Sequence, residues 1–210
     1  MKVVVLVLYT ENWQSLADVT IPNTQRYCDK HGYELRAIKH SEPYESDFGY
    51  MKLTASMNMF ANDEADIILN LDLDCLITNH EIKIESLVDF KNSLFISKDY
   101  NGINAGSFIL TDTKEVYSLL AWCIERHGID KMYCEQDAIR WVYENKHPNF
   151  IKIIPQNKSN SYLYQYYPEI PLQTHEQGQW QPCDFVLHLH GLPFEKRIEI
   201  FNEIKTVIRL

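Results

Sequence analysis

Two aspartates, Asp72 and Asp74, close an apolar run in the segment Ile67-Ile68-Leu69-Asn70-Leu71-Asp72-Leu73-Asp74-Cys75-Leu76-Ile77. In extended backbone, residues i and i+2 project to the same side. Two carboxylates held that close repel each other unless a cation lies between them. Hard oxygen donors of this kind suit Mg²⁺ or Mn²⁺. The plainer reading is a solvated turn after a strand, and the position directly behind a buried strand is what favours the metal.

Other clusters lie further along the chain. In His188-Leu189-His190-Gly191 the two histidines share a strand face by the period of two, and one neutral imidazole would complete a carboxylate metal site. Gly191 would let backbone approach a phosphate closely, and Lys196 and Arg197 supply cations on a following helix, where a solvated face is the simpler role. Asn104-Ala105-Gly106-Ser107-Phe108 is a small, polar entry to a strand, with room for a bulky ligand over Gly106. Glu135-Gln136-Asp137 stands at a helix start, where acids complement the dipole. Its functional reading is a carboxylate and an amide that hold sugar hydroxyls. Lys52 precedes the D-x-D strand on a helix.

These side chains meet only if the chain folds them together. Apolar runs and breakers predict strands over 3–9, 33–38, 66–71, 94–97, 106–110, 151–154 and 185–189. Helices are expected over 22–31, 50–62, 114–127, 135–144 and 194–207, with Pro22 in a first turn, Gly32 and Gly128 as stops, and a loop over 40–49. Strand–helix alternation early and a mixed pattern late imply an α/β fold with a largely parallel sheet. Ligands of such sheets gather at the carboxyl ends of the strands, where Asp72 and Asp74 fall.

The 210 residues suit one domain, with 45% apolar and 23% charged residues. A net charge of −9 excludes a general nucleic-acid binder, though an acidic pocket binds a diphosphate when a divalent cation bridges the two. The 13 tyrosines suit stacking on sugars or bases as well as an ordinary core. Cys28, Cys75, Cys123, Cys134 and Cys183 are odd in number and form no C-x-x-C, which reads as reduced thiols in a cytoplasmic setting. The longest apolar run, Val3-Val4-Val5-Leu6-Val7-Leu8, falls far short of the roughly 18 residues of a membrane span.

Taken in order, lysine on a helix, strand-D-x-D, Asn-Ala-Gly-Ser-Phe, Glu-Gln-Asp and His-x-x-Gly resemble the galactosyl- and xylosyltransferase family of GT-A glycosyltransferases. That family includes plant xyloglucan xylosyltransferases, the galactomannan galactosyltransferase and yeast Golgi mannosyltransferases. Tyr27-Cys28-Asp29-Lys30-His31-Gly32-Tyr33 also resembles its helix-to-strand segment. A more distant similarity runs to glycogenin-like enzymes, and the compact length resembles a glycosyltransferase domain encoded by chlorella viruses, which would place the chain in host cytoplasm.

The resemblance implies a single GT-A domain with a mixed central sheet, in which a Rossmann-like half over 1–100 binds the nucleotide sugar and a half over 101–210 serves the acceptor. It implies a metal-dependent retaining glycosyltransferase, a UDP-sugar donor, a glycan or glycoprotein acceptor, and Mn²⁺ or Mg²⁺. Asp72, Asp74 and His188 match the metal ligands, and Asp72 also the donor contact. Lys52 matches a lysine near the donor, Asn104 and Gly106 the sugar pocket, and Glu135 and Gln136 the pair beside the transferred sugar. Tyr9 and Thr10 end the strand that holds the base, and Gly191 and Lys196 fall on the diphosphate side. His190 departs from the family's pattern and leaves open which histidine ligates. The alternatives are a degenerate GT-A domain that only binds, and a phosphatase of the haloacid dehalogenase type. The latter carries its D-x-D on the first strand with Thr or Val at the position Leu76 occupies here.

Overall fold

In a computed structural model of the chain, the structure describes residues 1–41, 48–130, 134–146, 148–170 and 178–208. Among the described residues, eight strands and five helices follow one another: β1 (Val3–Thr10), α1 (Gln14–His31), β2 (Glu34–His40), α2 (Phe48–Ala61), β3 (Ile67–Leu71), β4 (Cys75–Ile77), β5 (Leu94–Asp99), β6 (Gly102–Thr111), α3 (Val116–Asp130), α4 (Glu135–Lys146), β7 (Ile151–Ile154), β8 (Val186–His188) and α5 (Phe194–Ile204). Six strands form one sheet in the order β2-β1-β3-β6-β5-β7, and β4 pairs with β8 in a separate antiparallel ribbon. Within the main sheet only β6 runs against its neighbours, so the sheet is largely parallel, as expected.

The continuous apolar run of β1 is explained by cover on both faces. Val3, Val5 and Val7 enter one core, together with α1, α5 and the β4–β8 ribbon. Val4, Leu6 and Leu8 enter the other, against α2, α3 and α4. Chain topology brings the carboxyl ends of β1 and β3 side by side, which sets Thr10 and Asp72 at one rim.

Several boundaries differ from the sequence expectation. α1 begins at Gln14 and runs through Pro22. Proline removes one backbone donor, but Pro22 lies on the exposed face, where the freed carbonyl is open to solvent. The buried face, Leu16, Ala17, Thr20, Asn23, Thr24, Tyr27 and Cys28, has helical spacing but polar residues at its centre, so apolar periodicity does not reveal it. The hydroxyls of Thr20 and Thr24 donate to the carbonyls of Leu16 and Thr20, one turn back. α3 continues past Gly128 to Asp130, and α5 stops at Ile204. β5 and β6 form a tight hairpin about Tyr100-Asn101, longer than the strands expected, because a bulge between Ile96 and Ser97 breaks the alternation. Of the loop expected over 40–49, residues 42–47 lie outside the described residues. No helix among the described residues is long and apolar enough to cross a membrane.

Candidate active site

A cavity of about 710 Å³ opens at the carboxyl ends of β1 and β3. Tyr9, Thr10 and Trp13 line one end, and Asp99, Tyr100 and Asn101 from the β5–β6 turn line the other. Between them stand Lys52, Asp72, Asp74, Asn104, Gly106, Glu135, Gln136, His188, His190 and Arg197.

The D-x-D segment is fixed by backbone on both sides. The Asp72 N–H donates to the Gly106 carbonyl at 2.8 Å, and the Cys75 N–H returns to the Asp72 carbonyl at 3.0 Å. The two carboxylates then face different partners. Lys52 Nζ lies 2.5 Å from Asp72 Oδ1 and 2.6 Å from Glu135 Oε1. Lys52 is only 4% exposed, and although burial disfavours its charge, the two carboxylates more than offset that and raise its pKa. Asp74 instead lies 3.3 Å from His188 Nε2 and 3.3 Å from Arg197 Nη1. Burial pushes the Asp74 carboxyl up, but His188 and Arg197 outweigh it and hold the pKa at about 2.

His188 is oriented by Asn160, whose Oδ1 sits 2.8 Å from Nδ1. With Nδ1 turned to Asn160, Nε2 is the ring atom that faces Asp74, the orientation of a metal-ligating imidazole. Ligand atoms of Asp74, Cys75 and His188 lie within 4.8 Å of one another. Burial pushes the Cys75 thiol well up and its Sγ donates to the Gly106 carbonyl, so Cys75 is a poor ligand. Asp72 stands apart from this group, turned onto Lys52. The cavity wall carries four carboxylates, Asp72, Asp74, Asp99 and Glu135, against two permanent cations, Lys52 and Arg197, which leaves −2 with neutral histidines. Oxygen and imidazole donors around a net deficit of that size fit a hard divalent cation.

Two glycines explain how tightly these groups are set. A Cβ on Gly106 would come within 2.2 Å of the His188 ring, and one on Gly49 within 1.8 Å of Glu135 Oε2. Gly106 therefore makes room for the imidazole rather than lying open to ligand alone. The Asn104 side chain is spent on structure: Oδ1 accepts from the Gly106 N–H, and Nδ2 donates to Asp99 and to Tyr162. Gln136 Oε1 accepts the Ala105 N–H at 3.0 Å, which leaves its Nε2 as the donor for a ligand.

Of the residues singled out in the sequence, Gly191 and Lys196 fall outside the cavity wall. Gly191 has φ +68 and open space around a would-be Cβ, so the turn out of His190 requires it for its backbone. Lys196 is on the outer face of α5, paired with Glu199. Arg197 takes the inward position, on the buried stripe with Ile200, Phe201 and Ile204. That stripe, at i, i+3, i+4 and i+7, is the sequence signal that separates the two cations. His190 is not in the ligand cluster. Its ring stacks on Tyr167 at 4.9 Å and packs on Tyr162 at 4.5 Å, and burial, reinforced by His188, lowers its pKa to about 4. Asp99, Tyr100, Trp13 and Gly49 also line the site without having been singled out; the Asn101-Gly102 pair is the hairpin signal that would have located the first two.

Neither a protein-family model nor a curated protein matches this sequence. Solved structures do. The chain matches a glycosyltransferase involved in glycosylation of the major capsid of the virus PBCV-1, with TM-score 0.72 and 18% identity over 97% of this chain and 100% of that one. It matches the galactosyltransferase LgtC, in complex with donor and acceptor sugar analogs, with TM-score 0.61 and 11% identity over 95% of each chain. Mouse xyloside xylosyltransferase 1 aligns with TM-score 0.57 and 12% identity, over 92% of this chain and all of that one. With its six-stranded mixed sheet, paired helical layers and rim cavity, the chain has the GT-A glycosyltransferase fold.

Proposed function

We propose that this chain is a metal-dependent, retaining glycosyltransferase that moves a hexosyl or pentosyl group from a UDP-sugar to a glycan or glycoprotein acceptor. One observation carries the reading: Asp74 and His188, from distant parts of the sequence, bring a carboxylate oxygen and an imidazole nitrogen together in a cavity that also holds Asp72, Glu135 and Gln136. That cavity sits at the carboxyl rim of a glycosyltransferase fold.

Asp74 and His188, with Asp72 beside them, would hold Mn²⁺ or Mg²⁺, which when bound neutralises charge on the leaving diphosphate. Tyr9 and Thr10 receive the base at the end of β1. Lys52 fixes Asp72 and Glu135 relative to each other. The Gln136 amide donates to a sugar hydroxyl or the ring oxygen. Glu135 is held by Lys52, and Asp99 by Asn101, Asn104 and Tyr162. Both carboxylates are committed to these partners, which favours retention by same-face substitution, with the departing phosphate taking the acceptor's proton.

The test is release of UDP from UDP-sugars, with and without Mn²⁺ and candidate acceptors. The intact chain turns over donor only with metal, and Asp74→Ala loses about 10³-fold in turnover, the scale of a lost electrostatic stabiliser. Undiminished turnover in Asp74→Ala would sink the assignment. Donor binding without turnover would support the degenerate, binding-only alternative.

A further inference from the structure

Arg197 is held unlike the other cation of the cavity. Lys52 makes two close ion pairs, at 2.5 and 2.6 Å. The Arg197 guanidinium stands 3.3 Å from Asp74 Oδ2, beyond the usual length of a charge-assisted hydrogen bond. Its Nε is buried and has no hydrogen-bond partner among the described residues. The guanidinium lies 5.2 Å from the centre of the Trp13 ring, at the end of the cavity where Tyr9 and Thr10 stand. A buried arginine on the cavity wall, with an unspent Nε and a long pairing to a candidate metal ligand, is poised to change partners.

Arg197 pairs with Oδ2 of Asp74 and His188 with Oδ1, so a divalent cation held by Asp74 and His188 would repel the guanidinium across one carboxylate in a site of low dielectric. We propose that Arg197 is the counter-ion of Asp74 only until a divalent cation arrives, that the cation displaces it, and that the freed guanidinium then takes the diphosphate of the nucleotide sugar. The planar fork of arginine matches phosphate oxygens, and Trp13 gives it a surface to slide along. Metal thus binds first and prepares the anion site. Lys196 cannot substitute, since it faces outward on the same helix. The inference rests on reading the cavity as a metal-dependent nucleotide-sugar site.

Calorimetry of Arg197→Gln tests it, with Mn²⁺ alone and then with UDP at saturating Mn²⁺. Removing the competitor for Asp74 tightens Mn²⁺ binding by about threefold or more. Removing the anion ligand weakens UDP binding by about tenfold or more. Opposite signs are the signature of exchange. Weakening of both marks a structural role, and unchanged Mn²⁺ binding marks a plain phosphate ligand; either overturns the proposal. An intact chain that binds neither Mn²⁺ nor UDP removes the underlying reading along with the exchange. A second measurement avoids substitution altogether. Phenylglyoxal modification of Arg197 in the intact chain, followed by peptide mass mapping, should speed up with Mn²⁺ alone and slow when UDP is added. A rate indifferent to Mn²⁺ also overturns it.

Discussion

Asp72 and Asp74 are neighbours in sequence but are served by opposite layers of the molecule. Asp72 is paired to Lys52 of α2, which also binds Glu135 of α4, and both helices belong to the core on one face of the sheet. Asp74 is paired to His188 at the end of β8 and Arg197 of α5, which belong to the other face. The first set is short and built around a buried lysine. The second is longer and built from an imidazole and a guanidinium that can each take another partner. One side of the motif therefore serves as an anchor, and the other is the side on which the proposed exchange would take place.

Breaking the anchor has the largest expected effect on stability. Lys52→Met strands two carboxylates around an uncompensated site and costs about 3–5 kcal/mol in denaturant unfolding. A loss under 1 kcal/mol would show that the Lys52 pairs do not anchor the motif. Gly106→Ala attacks the exchange side sterically. The new Cβ drives the His188 ring from Asp74, so stability falls by about 1–3 kcal/mol and Mn²⁺ affinity falls with it. Acid probes Asp74 directly. Its folded pKa, held at about 2, lies below the ordinary aspartate range, so its contribution is complete above about pH 4. As pH falls toward 2, metal-free protein loses on the order of 2 kcal/mol through this group, and Asp74→Asn should flatten that part of the acid profile. Lys196→Gln touches neither side and should change stability by under about 0.5 kcal/mol, with turnover unaltered.

The sequence made the anchor's strand plain and its partners less so. β1 opens on an unbroken apolar run and β3 is apolar but for Asn70, short runs of the kind a central strand covered on both faces buries. α1 was legible only in its second half, because its inward face is carried by Thr20, Asn23 and Thr24. The bulge in the β5–β6 hairpin breaks the alternation, so the strands expected from sequence stop short of Asp99 and Tyr100 on the cavity wall. Of the candidate residues, those fixed by strand ends or helix starts reached the cavity: Tyr9, Thr10, Lys52, Asp72, Asp74, Asn104, Gly106, Glu135, Gln136 and His188. Lys196 did not, since on a helix the adjacent residue is turned by about 100°, and the apolar stripe sets that phase. Gly49 carries no signal in sequence, because its need is created by Glu135 from another helix.

The narrow ribbon of β4 and β8 has a consequence for how the molecule is assembled. Cys75 pairs with His188 across it, so the strand that leaves the D-x-D segment is also the one that receives the late histidine. α1 is laid down early and is later packed by α5. A nascent chain that has emerged only as far as β6 already contains the Asp72-Leu73-Asp74 motif and most strands of the sheet. It lacks the imidazole and the guanidinium that make Asp74 a site. On the proposed reading, metal affinity would belong to the chain only once β8 and α5 have docked, and its appearance during synthesis or refolding would be a clock for that docking.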